Sequence, residues 1–179
     1  MADLTGKKVA VLVDDYFEEA EFTQPIKDLR AAGATVEIIA PEVGKIHGMK
    51  HAQIADTYTA EKAIDDVRID EYDALVLPGG AINADNLRMN DKARIWIRKF
   101  MDIGKPVAAI CHAPWALASA GVAKGRRLTS FETIQDDMRN AGADWVNEEV
   151  VIDNNLITSR KPDDIPAFDN ALIAMLQAA

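Results

Sequence analysis

Four short, nearly uninterrupted apolar runs constrain this chain more than any other feature. Val9 to Val13 within Lys7 to Asp14, Thr35 to Ala40, Ala74 to Leu77 and the run ending in Ile110 lack the alternation of a half-exposed strand. Such runs belong to strands buried on both faces, the environment of a parallel sheet. Between them lie segments with helical spacing. Glu18 to Ala32 puts Phe22, Ile26 and Leu29 on one stripe and stops at Gly33. Asp91 to Ile103 does the same with Ala93, Trp96, Ile97, Phe100 and Met101 before Gly104. Strand, helix and strand with short joints form a right-handed crossover unit. The pattern therefore predicts an α/β fold with a mostly parallel central sheet covered on both faces.

The remaining segments carry weaker patterns. Glu42 to Asp70 reads as a small hairpin or irregular connection, then a short helix over Glu61 to Val67. Leu128 to Ser130 starts another strand, and Glu132 to Asn140 reads as a helix ended by Gly142. Trp145 to Asp153 and Leu156 to Ser159 read as strands joined by an Asp153-Asn154-Asn155 turn. A final helix runs from Ile165 to Gln177, capped by Asp163 and Asp164. No repeat, low-complexity tract or linker interrupts the 179 residues, so one domain over 1–179 is expected.

Charge narrows the partners. A net charge of −9 repels phosphate backbones and anionic lipid, so neither nucleic acid nor membrane is expected. Val9 to Val13 is too short for a membrane span and is followed by Asp14 and Asp15, which fits a buried strand better than a signal peptide. One cysteine excludes an internal disulfide and suits a reducing compartment, so a cytoplasmic location is expected.

That cysteine, Cys111, lies with His112 between a strand ending at Ile110 and a helix opening after Pro114. A strand-to-helix turn exposes backbone N–H groups and the positive helix end to the sulfur, which activates a nucleophile without a metal. His112 needs a third group to orient it, because adjacent helical residues do not face one another. The amides of Gly79-Gly80 are candidates for an oxyanion hole at the end of the preceding strand. Asp14 to Glu19 falls at a third strand end, and in open α/β sheets ligands bind beyond those ends. His47 and His51 have i, i+4 spacing in a segment without helical pattern and lack nearby ligand-type partners. No metal site or cofactor is expected.

Ala109-Ile-Cys-His-Ala-Pro114 with Leu75-Val-Leu-Pro-Gly-Gly80, Asp85-Asn-Leu-Arg88, Asp136 to Gly142 and Thr158 to Asp164 resembles the ThiJ/PfpI family over nearly the whole chain. The resemblance implies a flavodoxin-like three-layer sandwich, related to class I glutamine amidotransferases, with the cysteine on a strained nucleophile elbow. It assigns Cys111 and His112 to the catalytic pair and Glu18 to the carboxylate against the sulfur. Gly79, Gly80 and the neighbouring Ala113 match the oxyanion and substrate-binding region. In peptidase-like members an acid from a neighbouring subunit completes the triad. The matching position is Asp85, so a homodimer or larger homo-oligomer is implied. Ala113 stands where glycine is common, and Phe131 stands where archaeal peptidase-like members carry tyrosine. Both departures weaken the peptidase assignment.

Three functions follow. The first is a stress-protection enzyme acting on reactive dicarbonyls or their adducts, of deglycase or glyoxalase type. The second is an intracellular cysteine peptidase using Cys111, His112 and the partner's Asp85. The third is a non-enzymatic redox sensor or chaperone-like protein in which Cys111 is oxidised. In the enzymatic readings a protonated Glu18 and the helix end bring the thiol, ordinarily near a pKa of about 8.5, below neutrality.

Overall fold

The computed structural model describes residues 2–179. In chain order the elements are β1 (Lys8–Leu12), β2 (Phe17–Glu18), α1 (Glu19–Ala31), β3 (Thr35–Ala40), β4 (Gly44–Lys50), β5 (Gln53–Ala60), β6 (Lys62–Ala63), β7 (Ala74–Leu77), α2 (Ala81–Met89) and α3 (Asp91–Asp102). The second half carries β8 (Val107–Ile110), α4 (Pro114–Ser119), β9 (Arg127–Leu128), α5 (Gln135–Asn140), β10 (Asp144–Trp145), β11 (Val151–Asp153), β12 (Leu156–Ser159) and α6 (Ile165–Ala178).

The apolar runs form the centre of a seven-stranded sheet in the order β11-β12-β8-β7-β1-β3-β6. Every neighbouring pair is parallel except β11 and β12. Successive residues of β1 explain why both faces need apolar side chains. Val9 and Val11 pack with Phe22, Ile26 and Leu29 of α1 and Phe168, Leu172 and Leu176 of α6. Ala10 and Leu12 pack with Trp96, Ile97 and Phe100 of α3 and Leu117 of α4. The result is the three-layer, flavodoxin-like arrangement, with α1 and α6 on one face and the other helices opposite.

Local differences have physical reasons. Lys62–Ala63 pairs with Ile39–Ala40 at the sheet edge, and only a single 3-10 turn, Ile64–Asp66, replaces the helix expected over Glu61 to Val67. Ile64 is the one buried residue of that turn, too little for a helix to pack. The β4–β5 hairpin extends into a separate three-stranded sheet with β2 and carries its turn over the strand ends. Trp145 pairs in parallel with Leu128 through β10 and β9, while only Val151–Asp153 forms the antiparallel ribbon with β12. Asn154 adopts φ +53° in that ribbon's turn, a conformation asparagine tolerates.

Helix α2 was not expected. Its buried Asn83 explains its start: the side-chain amide donates to the Pro78 and Gly79 carbonyls at 2.9 and 3.0 Å, and its oxygen accepts from the Asp14 N–H at 2.7 Å. One side chain thus ties the β7 exit, the helix start and the β1 exit together.

Candidate active site

Cys111 leaves β8 at φ +64°, in the left-handed region that a side chain disfavours. The turn is held by the Cys111 N–H donating to the Ser159 carbonyl at 3.0 Å and the Phe131 N–H donating to the Cys111 carbonyl at 2.7 Å. Tyr16 at φ +65° and His51 at φ +58° line the same cavity. Backbone strain therefore gathers where the sheet ends, and regular packing holds it there.

This bend also changes what His112 can reach. On a continuous helix it would point away from its neighbour, but here Nδ1 lies 3.2 Å from the Cys111 sulfur. The ring stacks on Phe131, with centroids 4.8 Å apart, and meets the Trp115 edge at 5.3 Å. Burial lowers the His112 pKa, which favours the neutral imidazole.

The carboxyl against the sulfur is that of Glu21, not Glu18. Glu18 ends β2 in extended backbone, one residue before α1, and its carboxylate accepts the His51 N–H at 3.2 Å on the cavity wall. Glu21 lies within the first turn of α1, is fully buried, and sets its carboxyl beside the Cys111 side chain. Its Oε2 accepts the Gly79 N–H at 2.9 Å, while Oε1 finds no protein partner. The sequence carried a signal for this position. Glu21, Pro25 and Leu29 recur at i, i+4 and i+8 on the buried stripe of α1, where an acidic residue has no structural reason to be.

The backbone donors divide accordingly. Gly79 gives its N–H to Glu21, and Ala113, which is buried, gives its own to the Ile110 carbonyl at 3.0 Å. Neither is free for an oxyanion. The amides that face the sulfur are those of Gly80 and His112. Gly79 is also a close-approach position. A Cβ there would land on the Glu21 carboxylate and sit 2.6 Å from the Cys111 Cβ and 2.8 Å from the Ile110 carbonyl oxygen.

Burial and the nearby Glu18 charge push the Glu21 carboxyl up to about 8. Burial and the Glu21 charge push the Cys111 thiol up as well, against the pull of the Gly80 and His112 amides. The thiol is therefore not lowered by its surroundings taken together, contrary to the sequence expectation. Two acids in contact at low dielectric do not both ionise easily, and they titrate as a pair. The first proton to leave produces either a thiolate beside a carboxylic acid or a thiol beside a carboxylate.

The pair opens onto a cavity of about 500 Å³ lined by Tyr16, Glu18, Met49, His51, Ile82 and Phe131 among others. Asp85 is exposed on α2 and is not among the residues that line the cavity. Among the described residues no group of three or more His, Cys, Asp or Glu side chains is disposed to hold a metal ion, and no helix is long and apolar enough to cross a membrane. His47 is engaged elsewhere: its Nδ1 lies 2.9 Å from Asp15.

Known proteins resemble this chain in sequence and fold. Protein/nucleic acid deglycase 2 of Escherichia coli is 44% identical over 97% of this chain and 99% of its own length. General stress protein 18 of Bacillus subtilis is 43% identical over 96% of this chain and 99% of its own. A two-domain protein of Anabaena variabilis, with DJ-1/ThiJ/PfpI-like and ferritin-like domains, superposes with a TM-score of 0.90 at 36% identity. That match covers 95% of this chain and 48% of the larger one. With residues 7–175 matching as well, the chain belongs to the DJ-1/PfpI family.

Proposed function

We propose that the protein is a cofactor-independent, cysteine-dependent hydrolase acting on reactive dicarbonyls or the adducts they form with amines and thiols. The observation that carries this reading is the Cys111–Glu21 contact at the base of an open cavity, with the Gly80 and His112 amides facing the sulfur. The deglycase relative at 44% identity supports the same substrate class.

The first step is addition. With Glu21 protonated, neutral His112 accepts the Cys111 proton at Nδ1, and the thiolate attacks a carbonyl carbon. A C–S bond forms, the carbonyl π pair moves to oxygen, and the Gly80 and His112 N–H groups stabilise that charge. Glu21 or the His112 imidazolium returns a proton to the oxygen, giving a neutral hemithioacetal. The hemithioacetal carbon then gives its C–H proton to the group that protonated the oxygen, and a proton is delivered to the adjacent carbonyl carbon through an enediol. The second carbonyl is thereby reduced to an alcohol as the sulfur-bearing carbon reaches the thioester level, without an external oxidant. Water adds to that thioester, the C–S bond breaks, and the thiol is freed as a 2-hydroxy acid leaves. Asp85 has no part in these steps, whereas a peptidase reading requires it from a second subunit.

The test is turnover by purified protein of a dicarbonyl or a dicarbonyl-modified amino acid. The proposal expects turnover that disappears in Cys111→Ser and survives in Asp85→Ala. Peptide cleavage abolished by Asp85→Ala would replace it with the peptidase reading. Absence of both activities, with mild peroxide adding two oxygens at Cys111, would replace it with the redox-sensor reading.

A further inference from the structure

A second acidic pair lies between α1 and α6. Asp169 of α6 is 3% exposed, and neither of its carboxyl oxygens meets a hydrogen-bond donor. The group facing it is Asp28 of α1, another carboxyl. Both line a cavity of about 420 Å³ together with Gln24, Asn170 and the apolar side chains of Ile165 and Ile173. Gln24 donates its amide N–H to Asp28 at 2.9 Å, leaving its carbonyl oxygen as a further acceptor.

No positive charge answers this cluster. Helix α6, IPAFDNALIAMLQA, contains no Lys, Arg or His, and Asp169 is its only titratable side chain. On α1, Lys27 is exposed, and the Arg30 guanidinium donates to the Val36 carbonyl at 3.1 Å. Asp164, just before α6, is held by Arg160 at 2.9 Å. Burial and the Asp28 charge raise the Asp169 carboxyl to about 8. A single proton can therefore join the two carboxyls, but it satisfies one bond and leaves the other acceptors of an accessible cavity unmet.

We propose that the α1–α6 cavity binds an organic cation bearing N–H donors, an alkylammonium or alkylguanidinium, with its head between Asp28 and Asp169 and its methylenes against Ile165 and Ile173. Such a head supplies several donors and one positive charge, which a proton cannot do. A hard divalent cation is a poorer match, because it needs six or more oxygen ligands and here would find two carboxylates and two carboxamides. Binding displaces the shared proton, so affinity rises by about tenfold per pH unit towards about pH 8 and then levels. The cation is either a free amine or a Lys or Arg side chain of a second copy of this chain.

Calorimetric titration with putrescine and agmatine at about pH 6.5 and about pH 8.5 tests the site, alongside sedimentation of the same samples. Saturable binding that strengthens with pH and is lost in Asp169→Asn identifies a free amine as the ligand. No amine binding, with Asp169→Asn lowering the sedimenting mass, identifies a side chain of a second copy. The Cys111 alkylation rate reports independently that the variant is folded. Should Asp169→Asn fail to fold, Asp28→Asn serves in the same two arms. Amine binding that persists in both variants overturns the proposal, as does absence of both binding and any change in mass.

Discussion

Helix α1 presents two acidic side chains seven residues apart, Glu21 and Asp28, and each meets another proton-holding group: Cys111 in one case, Asp169 in the other. Two helical turns separate them, so they lie along the same side of the helix. Burial raises a carboxyl to about 8 in both pairs. What differs is the backbone around them. The Glu21–Cys111 pair receives N–H groups from Gly79, Gly80 and His112, held there by a strained elbow. The Asp28–Asp169 pair sits between two regular helices whose N–H groups are already spent, and no donor reaches Asp169. Desolvation alone stores a proton. Oriented amides at a bent chain end let that proton be exchanged for a developing charge on the partner.

The comparison breaks most visibly at the sulfur. Cys111→Ser should lower turnover of a dicarbonyl substrate by on the order of 10³-fold with the fold intact, because the hydroxyl is a far weaker nucleophile at neutral pH. Turnover within tenfold of wild type, measured on protein with an unchanged melting temperature, would remove the sulfur from the mechanism.

Gly79→Ala comes next. The added methyl group would strike the Glu21 carboxylate, the Cys111 Cβ and the Ile110 carbonyl, two of them backbone-anchored positions that cannot swing away. A loss of about 3 kcal/mol is expected in chemical denaturation, together with slowed alkylation of Cys111. Equal stability in the variant would mean that the approach of these strands is looser than described.

At the other pair the effect is one of pH. Folded Asp169 keeps its proton to about pH 8, whereas in the unfolded chain it is lost near pH 4. The folded state therefore binds more protons between those limits, and stability falls as pH rises through them, then becomes flat. Asp169→Asn should match wild type near pH 4 and exceed it above pH 8 by on the order of 2 kcal/mol. That is well below full conversion of the shift, because Asp28 shares the proton. Denaturation across that range is the measurement, and a variant destabilised equally at every pH would contradict it.

The smallest effect concerns the Phe131 side chain, which stacks on His112 and carries no polar atom. Phe131→Ala should lower turnover by about tenfold by freeing the imidazole ring, and leave the alkylation midpoint of Cys111 in place. A shifted midpoint would mean that Phe131 acts on the electrostatics of the pair.

Much of the frame was legible because it depends on pattern. The apolar runs at Val9, Ile38, Leu75 and Ala108 had to be central strands, and the stripe of α3 had to pack on them. Helix α2 left no such trace, since AINADNLRM has only a few apolar positions and is started by the buried bonds of Asn83. The acidic partner of Cys111 was misplaced by one turn, because Glu18, Glu19 and Glu21 all stand near the start of α1 and the chain enters it from a strand. Only the helix phase decides which carboxyl turns inward. The facing of Cys111 and His112 was beyond pattern as well, since it depends on one residue at φ +64°. The carboxyl pair between α1 and α6 joins residues 141 positions apart, and the register of two packed helices, not sequence spacing, brings them together.

The central claim is that Glu21, and not Glu18, shares its proton with Cys111. The pH dependence of Cys111 alkylation in wild type, Glu21→Gln and Glu18→Gln tests it most directly. In wild type, the rate should climb through a midpoint set by the pair and lying above the ordinary thiol range, because burial and the Glu21 charge both push the Cys111 thiol up. Glu21→Gln removes the competing negative charge and leaves a neutral donor beside the sulfur, so the midpoint should fall. Glu18→Gln should move it far less, because that carboxylate faces the His51 amide. If Glu21→Gln keeps the wild-type midpoint while Glu18→Gln shifts it, the assignment of the carboxyl partner is contradicted.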